Sequence, residues 1–310
     1  MEGNGEREKD FVNPLIRISD SKKITIKVIS NNSIKGKVII AAAGPGDPEL
    51  ITMKAVRYLQ EAEVVLTDRL VSNDILKLYV NPAAEIIYVG KQCRRGNSTP
   101  QETINELMRE FALQGKQVVR LKGGDVSVFS NILDELQVLK ENNIPYEIVP
   151  GVTSALGAAA YSGIPLTARG YATAVRFLTY YKSDIVSDDY WKDLAVTTDT
   201  LVFYMSAETV EGIVSKLIHF GVGADTFIAV IEQATTPMQQ VHVANIYDFE
   251  KLKGRAFLSP SLVIVGRVAA LHEQFGWIAN SSDTSSYYFK PVATIQNNSN
   301  QNKQANVSRA

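Results

Sequence analysis

The 310-residue sequence is poor in the residues that build disulfides and metal sites. It contains a single cysteine, Cys93, and three histidines, His219, His242 and His272, that are scattered along the chain. One cysteine forms neither an internal disulfide nor a thiolate cluster, and the histidines show no ligand spacing for zinc. No histidine lies near Cys93 in sequence, which favours a semi-exposed cysteine over a nucleophile. We therefore expect no metal.

The sequence also lacks an excess of one charge and long apolar runs. Its 32 Lys and Arg residues nearly balance 33 Asp and Glu residues, for a formal net charge of −1. That balance argues against a global nucleic-acid or membrane-surface role. No apolar run reaches the ~18 residues of a membrane helix, and the charged start, MEGNGEREKD, precedes no apolar signal core. We expect a cytoplasmic protein with no nucleic-acid or membrane partner.

Hydrophobic residues make up 45% of the chain and charged residues 21%, as in an ordinary α/β protein. Short apolar runs alternate with helical patterns, which predicts a largely parallel sheet followed by a second α/β domain. The predicted strands are 38–43, 63–67, 86–89, 117–121, 146–149, 174–179, 200–205, 227–231, 240–246 and 261–265. The predicted helices are 48–61, 72–80, 100–114, 130–142, 153–162 and 208–220.

These patterns divide the chain into four parts. Residues 1–36 form a polar extension, 37–150 an N-terminal α/β domain, and 151–278 a C-terminal α/β domain. Residues 279–310 are rich in Asn, Ser and Gln, and both polar ends are predicted to be poorly ordered. A small-residue junction at 151–170 connects the two domains, and the cleft between them is the default place for a ligand.

The stretch Lys37–Thr52, KVIIAAAGPGDPELIT, indicates where such a ligand binds. A buried apolar strand ends there in a Gly-Pro-Gly-Asp turn, and Asp47-Pro48 then supplies a helix N-cap and first position. Gly44 and Gly46 let the backbone approach a ligand without side-chain collision. Taken alone, this turn is equally consistent with a purely structural βα connection. It matches neither the dinucleotide fingerprint, because Glu49 replaces the third glycine, nor a phosphate-binding loop.

Seven motifs in order resemble those of the uroporphyrinogen-III C-methyltransferase family, and together they cover about 37–278. They are GPGDPELIT at 44–52, DRLV at 68–71, VGK at 89–91, VVRLKGGD at 118–125, VPGVTSALGAAAYSGIPLT at 149–167, LVFYM at 201–205 and SPSLVIVGRV at 259–268. The resemblance implies the tetrapyrrole methylase fold, in which a mainly parallel N-terminal sheet and a mixed C-terminal sheet enclose an active-site cleft. It also implies a homodimer that methylates two pyrrole carbons of uroporphyrinogen III to give precorrin-2, in siroheme or cobalamin biosynthesis.

The methyl donor implied by the resemblance is S-adenosylmethionine, with no metal. The family's cofactor-binding positions fall on Pro45, Gly123, Gly124, Asp125, Val128, Thr153, Ser154, Met205 and Ala234. The residue types suit this task, because glycines admit the ligand to the backbone and Asp125 can accept a hydrogen bond from it. Val128 and Met205 offer apolar walls to the adenine or the thioether. Taken alone, Met205 would more often be a core residue.

The resemblance assigns proton transfer to Asp68, as acceptor, and Lys91, as donor. C-methylation needs an electron-rich carbon aligned with the methyl group and a weak base for the proton lost afterwards, and a carboxylate fits that need. The substrate carries many carboxylates, which arginine binds in bidentate fashion. Arg69 and Arg169 are the expected substrate-binding residues among the cations near the motifs. The other cations considered are Lys91, Arg94, Arg95, Arg176 and Lys182.

Two departures from the family pattern fall on the acceptor side. The family arginine after the Gly-Gly-Asp loop is Asn131 here, and the histidine of Thr-His-Arg-Gly is Ala168. The donor side is therefore better preserved than the acceptor side. Two alternatives stay open: a related methylase of the same fold acting on another precorrin or another acceptor, and a non-catalytic protein that binds S-adenosylmethionine or a tetrapyrrole.

Overall fold

The computed structural model describes residues 36–90, 99–180, 187–252 and 256–289. Several residues considered above lie outside the described residues: Lys91, Cys93, Arg94, Arg95 and Lys182, together with nearly all of the predicted N-terminal extension. Within the described ranges, no helix is long and apolar enough to cross a membrane.

The N-terminal half, from residue 37 to 150, is a five-stranded sheet with helices on both faces. All of its strand pairs are parallel, in the order β3-β2-β4-β1-β5. The strands are β1 (Val38–Ala42), β2 (Val64–Thr67), β3 (Glu85–Tyr88), β4 (Val118–Lys122) and β5 (Tyr146–Val149). The helices are α1 (Met53–Glu61), α2 (Asn73–Tyr79), α3 (Gln101–Leu113) and α4 (Leu133–Glu141). Two apolar clusters, one on each face of the sheet, bury β1, β2 and β4 completely, as their continuous apolar runs predict.

The C-terminal half contains a mixed sheet in the order β6-β7-β10-β8-β9, in which β6 and β7 are parallel and the other pairs antiparallel. Its strands are β6 (Val175–Thr179), β7 (Thr200–Tyr204), β8 (Phe227–Glu232), β9 (Gln240–Asn245) and β10 (Ser261–Gly266). Its helices are α5 (Ser154–Tyr161), α6 (Asp188–Val196), α7 (Val210–His219) and α8 (His272–Phe275). The predicted fold class, a mainly parallel sheet followed by a mixed one, is confirmed.

The helix after the Gly-Pro-Gly-Asp turn differs from the sequence-based prediction of one helix over 48–61. Asp47 accepts a hydrogen bond from the backbone N–H of Glu49 at 2.8 Å, but it caps only a short 3-10 turn over Pro48–Leu50. Ile51 is extended, and Thr52 then caps α1 by accepting from the N–H of Ala55 at 3.3 Å. A second capping residue therefore restarts the helix at Met53.

The segment 279–289, which composition groups with the polar tail, is packed against the C-terminal half. Asn280 accepts from the backbone N–H of Val241 at 2.7 Å and donates to its carbonyl at 3.0 Å. Val241 lies on β9, an edge strand whose free backbone groups need partners. Phe289 is only 4% exposed. The polar side chains that suggest disorder thus satisfy a sheet edge.

Candidate active site

The two glycine turns predicted to bind the methyl donor meet at the carboxyl ends of β1 and β4. Gly44 donates to the carbonyl of Gly124 at 3.1 Å, and Gly124 donates back to Gly44 at 2.7 Å. Both have left-handed φ angles, +80° and +70°, which favour glycine. A side chain on Gly124 would lie 3.2 Å from the Ser154 hydroxyl oxygen. The Gly-Pro-Gly-Asp turn, the Gly-Gly-Asp loop and the start of α5 therefore lie next to one another.

Asp125 stabilises this junction through both of its carboxylate oxygens. Oδ2 accepts from the N–H of Gly151 at 2.8 Å, while Oδ1 accepts from the N–H of Ser127 at 2.8 Å and from the Ser127 hydroxyl. Burial alone would raise the pKa of the Asp125 carboxyl, but these hydrogen bonds outweigh it and hold that pKa below its ordinary value. In this structure both Asp125 oxygens already accept hydrogen bonds that order the loop.

Thr153 and Tyr204 connect the start of α5 to the end of β7. The Thr153 hydroxyl lies 2.7 Å from the Tyr204 hydroxyl, which also accepts from the N–H of Ala155 at 3.2 Å. The ring of Phe129 lies 4.9 Å from the ring of Tyr204. Met205 follows Tyr204 directly and is 59% exposed, so its side chain does not pack in the core. The half-buried Val128 packs against the apolar cluster of the C-terminal half.

Pro45 is buried where the Gly-Pro-Gly-Asp turn meets the C-terminal half. A Cβ on Gly157 of α5 would lie 2.6 Å from Pro45 Cγ and 3.0 Å from Thr235 Cγ2, so the contact requires glycine. The N–H of Asp47 donates to the Thr235 hydroxyl at 3.2 Å, and the Tyr161 hydroxyl donates to Asp47 Oδ2 at 2.5 Å. Burial, and then the hydrogen bond to Asp47, raise the pKa of Tyr161 to about 12, so the Tyr161 hydroxyl keeps its proton at neutral pH. The half-buried Ala234 precedes Thr235 in the loop that receives these contacts.

Backbone strain is concentrated in the loops that carry the predicted site. Among the described residues, six other than glycine have positive φ, and five of them lie in the loops that carry or flank the predicted site. Each such residue typically costs about 1–3 kcal/mol and persists where the surroundings enforce it, often at ligand sites. These five residues are Phe129, Asn131, Met205, Gln233 and Thr235. The left-handed Asn131 also explains why α4 begins at Leu133 and not at the predicted 130.

Asp68, the predicted proton acceptor, belongs to a network of buried charges that the sequence interpretation missed. Its Oδ1 lies 2.5 Å from Nη2 of Arg120, whose Nε donates to Glu135 at 3.0 Å. Lys122 Nζ completes the group, 3.1 Å from Glu135. Glu135 is fully buried and Arg120 nearly so, whereas the Asp68 side chain is 26% exposed. Burial and the charge of Arg120 lower the pKa of Lys122. The sequence does contain one indication of this network, because Arg120 and Lys122 are two residues apart in an otherwise apolar strand.

The two predicted substrate-binding arginines lie in different halves of the chain. Arg69 is half-buried and directly follows Asp68. Arg169 is exposed in the tight turn joined by the Ala168–Ala172 bridge of the C-terminal half. Arg176, a further cation considered, is engaged by Asp193 and Asp199 and so serves the surface of its own half. In the part of the chain that the structure describes, no group of three or more His, Cys, Asp or Glu side chains is placed to hold a metal.

These features define an α/β protein in which a parallel sheet is followed by a mixed sheet, with glycine turns that meet at the carboxyl ends of β1 and β4. The sequence profile described as Tetrapyrrole (Corrin/Porphyrin) Methylases matches residues 37–250. The chain belongs to this family, which confirms the resemblance found in its motifs.

Similar proteins agree with this assignment. The siroheme synthase of Saccharophagus degradans is 45% identical over 243 residues, covering 78% of this chain and 53% of that protein. The siroheme synthase of Pseudomonas putida is 43% identical over 250 residues, covering 80% of this chain and 54% of that protein. The chain therefore spans about half the length of the curated relatives it matches.

Solved structures resemble almost the whole described fold. Uroporphyrin-III C-methyltransferase from Thermus thermophilus, complexed with S-adenosylhomocysteine, is 36% identical with a TM-score of 0.64, covering 76% of this chain and all of that one. A cobalt precorrin-4 methyltransferase is 29% identical with a TM-score of 0.67, covering 75% of this chain and 95% of that one.

Proposed function

We propose that this protein is a uroporphyrinogen-III C-methyltransferase that uses S-adenosylmethionine to methylate two pyrrole carbons, giving precorrin-2. The observation that carries the proposal is the convergence of the predicted donor-side loops. The Gly44 turn, the Gly124 loop and the start of α5 meet in contacts of about hydrogen-bond length, with Tyr204 and Met205 beside them. The likeness to a methyltransferase complexed with S-adenosylhomocysteine supports the same donor here.

S-adenosylmethionine, when bound, supplies an electrophilic methyl group. The residues that would hold it are those of the strained and glycine-lined loops, whose backbone angles the surrounding contacts enforce. A pyrrole carbon forms the new bond to the methyl carbon while the sulfur–carbon bond breaks, and its electron pair stays on sulfur. The acceptor then loses a proton, which we assign to the Asp68 carboxylate. The described structure leaves that side chain partly exposed, as an acceptor of protons must be.

Arg120 orients this base. Its guanidinium holds one Asp68 oxygen at 2.5 Å and is itself fixed by the buried Glu135. A base held through a single oxygen keeps a defined direction towards the cleft, and this placement matters as much as its basicity. We retain Lys91 as the proton donor, Arg69 and Arg169 as substrate contacts, and the homodimer as parts of the proposal. Sedimentation velocity tests the dimer directly.

A second candidate is a methylase acting on a different precorrin. The acceptor side favours this alternative, because Asn131 and Ala168 stand where the family pattern has arginine and histidine. The structural likeness to a cobalt precorrin-4 methyltransferase points the same way. A non-catalytic donor- or tetrapyrrole-binding protein remains the third reading. Because the chain spans about half of its siroheme synthase relatives, the proposal concerns methylation only.

Methyl-labelled S-adenosylmethionine and a panel of acceptors separate these candidates. The panel contains uroporphyrinogen III generated anaerobically, later methylated precorrins, and no acceptor. The proposal predicts label in the uroporphyrinogen III product alone, with the absorbance of precorrin-2. Label in a later precorrin supports the second candidate. Tight binding of S-adenosylhomocysteine with no transfer to any acceptor supports the third and overturns the enzyme assignment.

A further inference from the structure

The segment Asp283–Phe289, which we call the C-terminal strap, lies beyond the family match and crosses between the two halves. Its Tyr288 hydroxyl lies 3.0 Å from the Ser72 hydroxyl and donates to Asp74 Oδ2 at 2.9 Å. Ser72 is buried and caps α2, a few residues after Asp68. The Tyr288 hydroxyl thus connects the strap to the segment that follows Asp68, the proposed base.

The backbone of the strap at Ser286 and Tyr288 is bonded to the loop that carries Ala234, on the C-terminal half. The Gln233 amide accepts from the N–H of Tyr288 at 2.8 Å and donates to the carbonyl of Ser286 at 3.0 Å. Gln233 is 1% exposed, has a φ of +47°, and directly precedes Ala234, one of the predicted donor contacts. The strained loop is therefore clamped from outside by the strap and from inside by the Asp47–Thr235 contact.

The strap is ordered by contacts of its own. Asp283 Oδ1 accepts from the N–H groups of Ser285 and Ser286, each at 3.0 Å, and the rings of Tyr288 and Phe289 lie 5.4 Å apart. Phe289 is buried. A segment that is ordered by its own hydrogen bonds and anchored by a buried residue loses little entropy when it holds two bodies together.

We propose that Tyr288 is a positioning residue that holds the two halves at the separation required by the methyl donor. This inference rests on the proposed function, because the donor residues come from both halves: Pro45 and Gly123 from one, Met205 and Ala234 from the other. We call the hydrogen bonds of Tyr288 to Ser72 and Asp74 on one half, and to Gln233 on the other, the tie. With the tie in place, the two halves are already held at the required separation. Without it, part of the binding free energy of the donor must be used to close the cleft.

This role predicts a specific division between binding and turnover. If the binding-competent arrangement becomes less populated, apparent affinity falls by that fraction, whereas saturating donor restores the arrangement. Tyr288→Phe should therefore raise the KM for S-adenosylmethionine and the Kd for S-adenosylhomocysteine roughly tenfold, with kcat changed less than about twofold. A general loss of stability would not produce this division well below the unfolding temperature.

The experiment compares matched variants. Tyr287→Phe removes the hydroxyl of the neighbouring tyrosine, which is 49% exposed, and should leave both constants unchanged. A chain ended at Ser282 should weaken S-adenosylhomocysteine binding at least as much as Tyr288→Phe, whereas a chain ended at Phe289 should bind like the full chain. Hydrogen exchange should accelerate at both 70–74 and 233–236 in Tyr288→Phe, and added S-adenosylhomocysteine should slow it again.

The outcomes for the tie and for the proposed function are separable. Unchanged S-adenosylhomocysteine affinity in Tyr288→Phe, or equal effects of Tyr287→Phe, would overturn the tie. If the wild type binds S-adenosylhomocysteine but methylates no uroporphyrinogen III, the proposed function fails and the affinity ratio still tests the tie. If the wild type binds none, hydrogen exchange decides: acceleration confined to the strap overturns the tie, and acceleration on both halves supports it.

Discussion

The Asp68 carboxylate and the Arg120 guanidinium lie 2.5 Å apart, at the boundary between a buried ionic network and the cleft. Arg120 is 3% exposed and is balanced by Glu135 on its inner side. Asp68 therefore need not neutralise a buried cation alone. The relationship gives one carboxylate an orientation that chain geometry alone does not provide.

Asp68→Asn should abolish most turnover while preserving donor binding. The amide retains the size of the carboxylate but takes up no proton, and a positioned general base typically contributes about 10²–10⁴-fold. We expect kcat to fall within that range, measured as methyl transfer at saturating donor, with the Kd for S-adenosylhomocysteine unchanged. Asp188→Asn, an exposed carboxylate paired with Lys216, is the control and should keep wild-type turnover. Near-native turnover in Asp68→Asn would remove Asp68 from the mechanism.

Glu135→Gln should destabilise the protein strongly, because it leaves Arg120 and Lys122 buried with one compensating charge fewer. Breaking a buried pair from one side typically costs about 3–5 kcal/mol, whereas exposed pairs contribute about 0–1 kcal/mol. Urea unfolding measures the difference. Glu106→Gln, which removes an exposed partner of Arg109, is the matched control. Equal effects of the two substitutions would show that the buried network contributes nothing special.

Tyr161→Phe should weaken donor binding by releasing Asp47 from α5. Tyr58→Phe removes a similar bond, in which a tyrosine donates to Glu147 at 2.6 Å, but on the N-terminal half alone. Each tyrosine hydroxyl donates to a charged carboxylate, so both variants should lose stability. We expect only Tyr161→Phe to raise the Kd for S-adenosylhomocysteine in calorimetry, by several-fold. An equal change in Tyr58→Phe would mean that the Gly-Pro-Gly-Asp turn has no special role.

Acid should remove the contribution of Asp125 to stability. Its pKa is below the ordinary value of 3.8 in the folded state, so the folded protein favours the charged form. The stabilisation is complete above the unfolded-state pKa and declines as pH falls through the lowered folded-state pKa. Asp125→Asn should therefore be less stable than wild type at pH 7, and the difference should shrink below about pH 4. A difference independent of pH would contradict this origin.

Local chemistry made much of the fold predictable. Apolar runs located all ten strands of the described chain within about a residue or two, and the signal is most continuous in the fully buried β1, β2 and β7. The predicted glycines at 44 and 124 do adopt the left-handed angles that favour this residue. By contrast, α6 was missed, since its short buried stripe of Trp191, Leu194 and Ala195 lies within a polar segment.

Long-range partnerships were not predictable in the same way. Glu135 looks like an ordinary polar position on a helix, and only the packing of α4 against β4 shows that it is buried between Arg120 and Lys122. The strap is similar, because its Ser- and Asn-rich sequence indicates disorder until Gln233 and Ser72 are brought beside it. The acceptor side depends on Asn131 and Ala168, whose effect on acceptor choice no local pattern determines.

The most direct test of the central claim is the mass of the product formed from uroporphyrinogen III. The pure protein is incubated anaerobically with S-adenosylmethionine and uroporphyrinogen III, and the tetrapyrrole is analysed by mass spectrometry. We expect the mass of the tetrapyrrole to increase by two methyl groups, with S-adenosylhomocysteine formed in proportion. An unchanged tetrapyrrole, from a protein that binds S-adenosylhomocysteine and is folded, would contradict it.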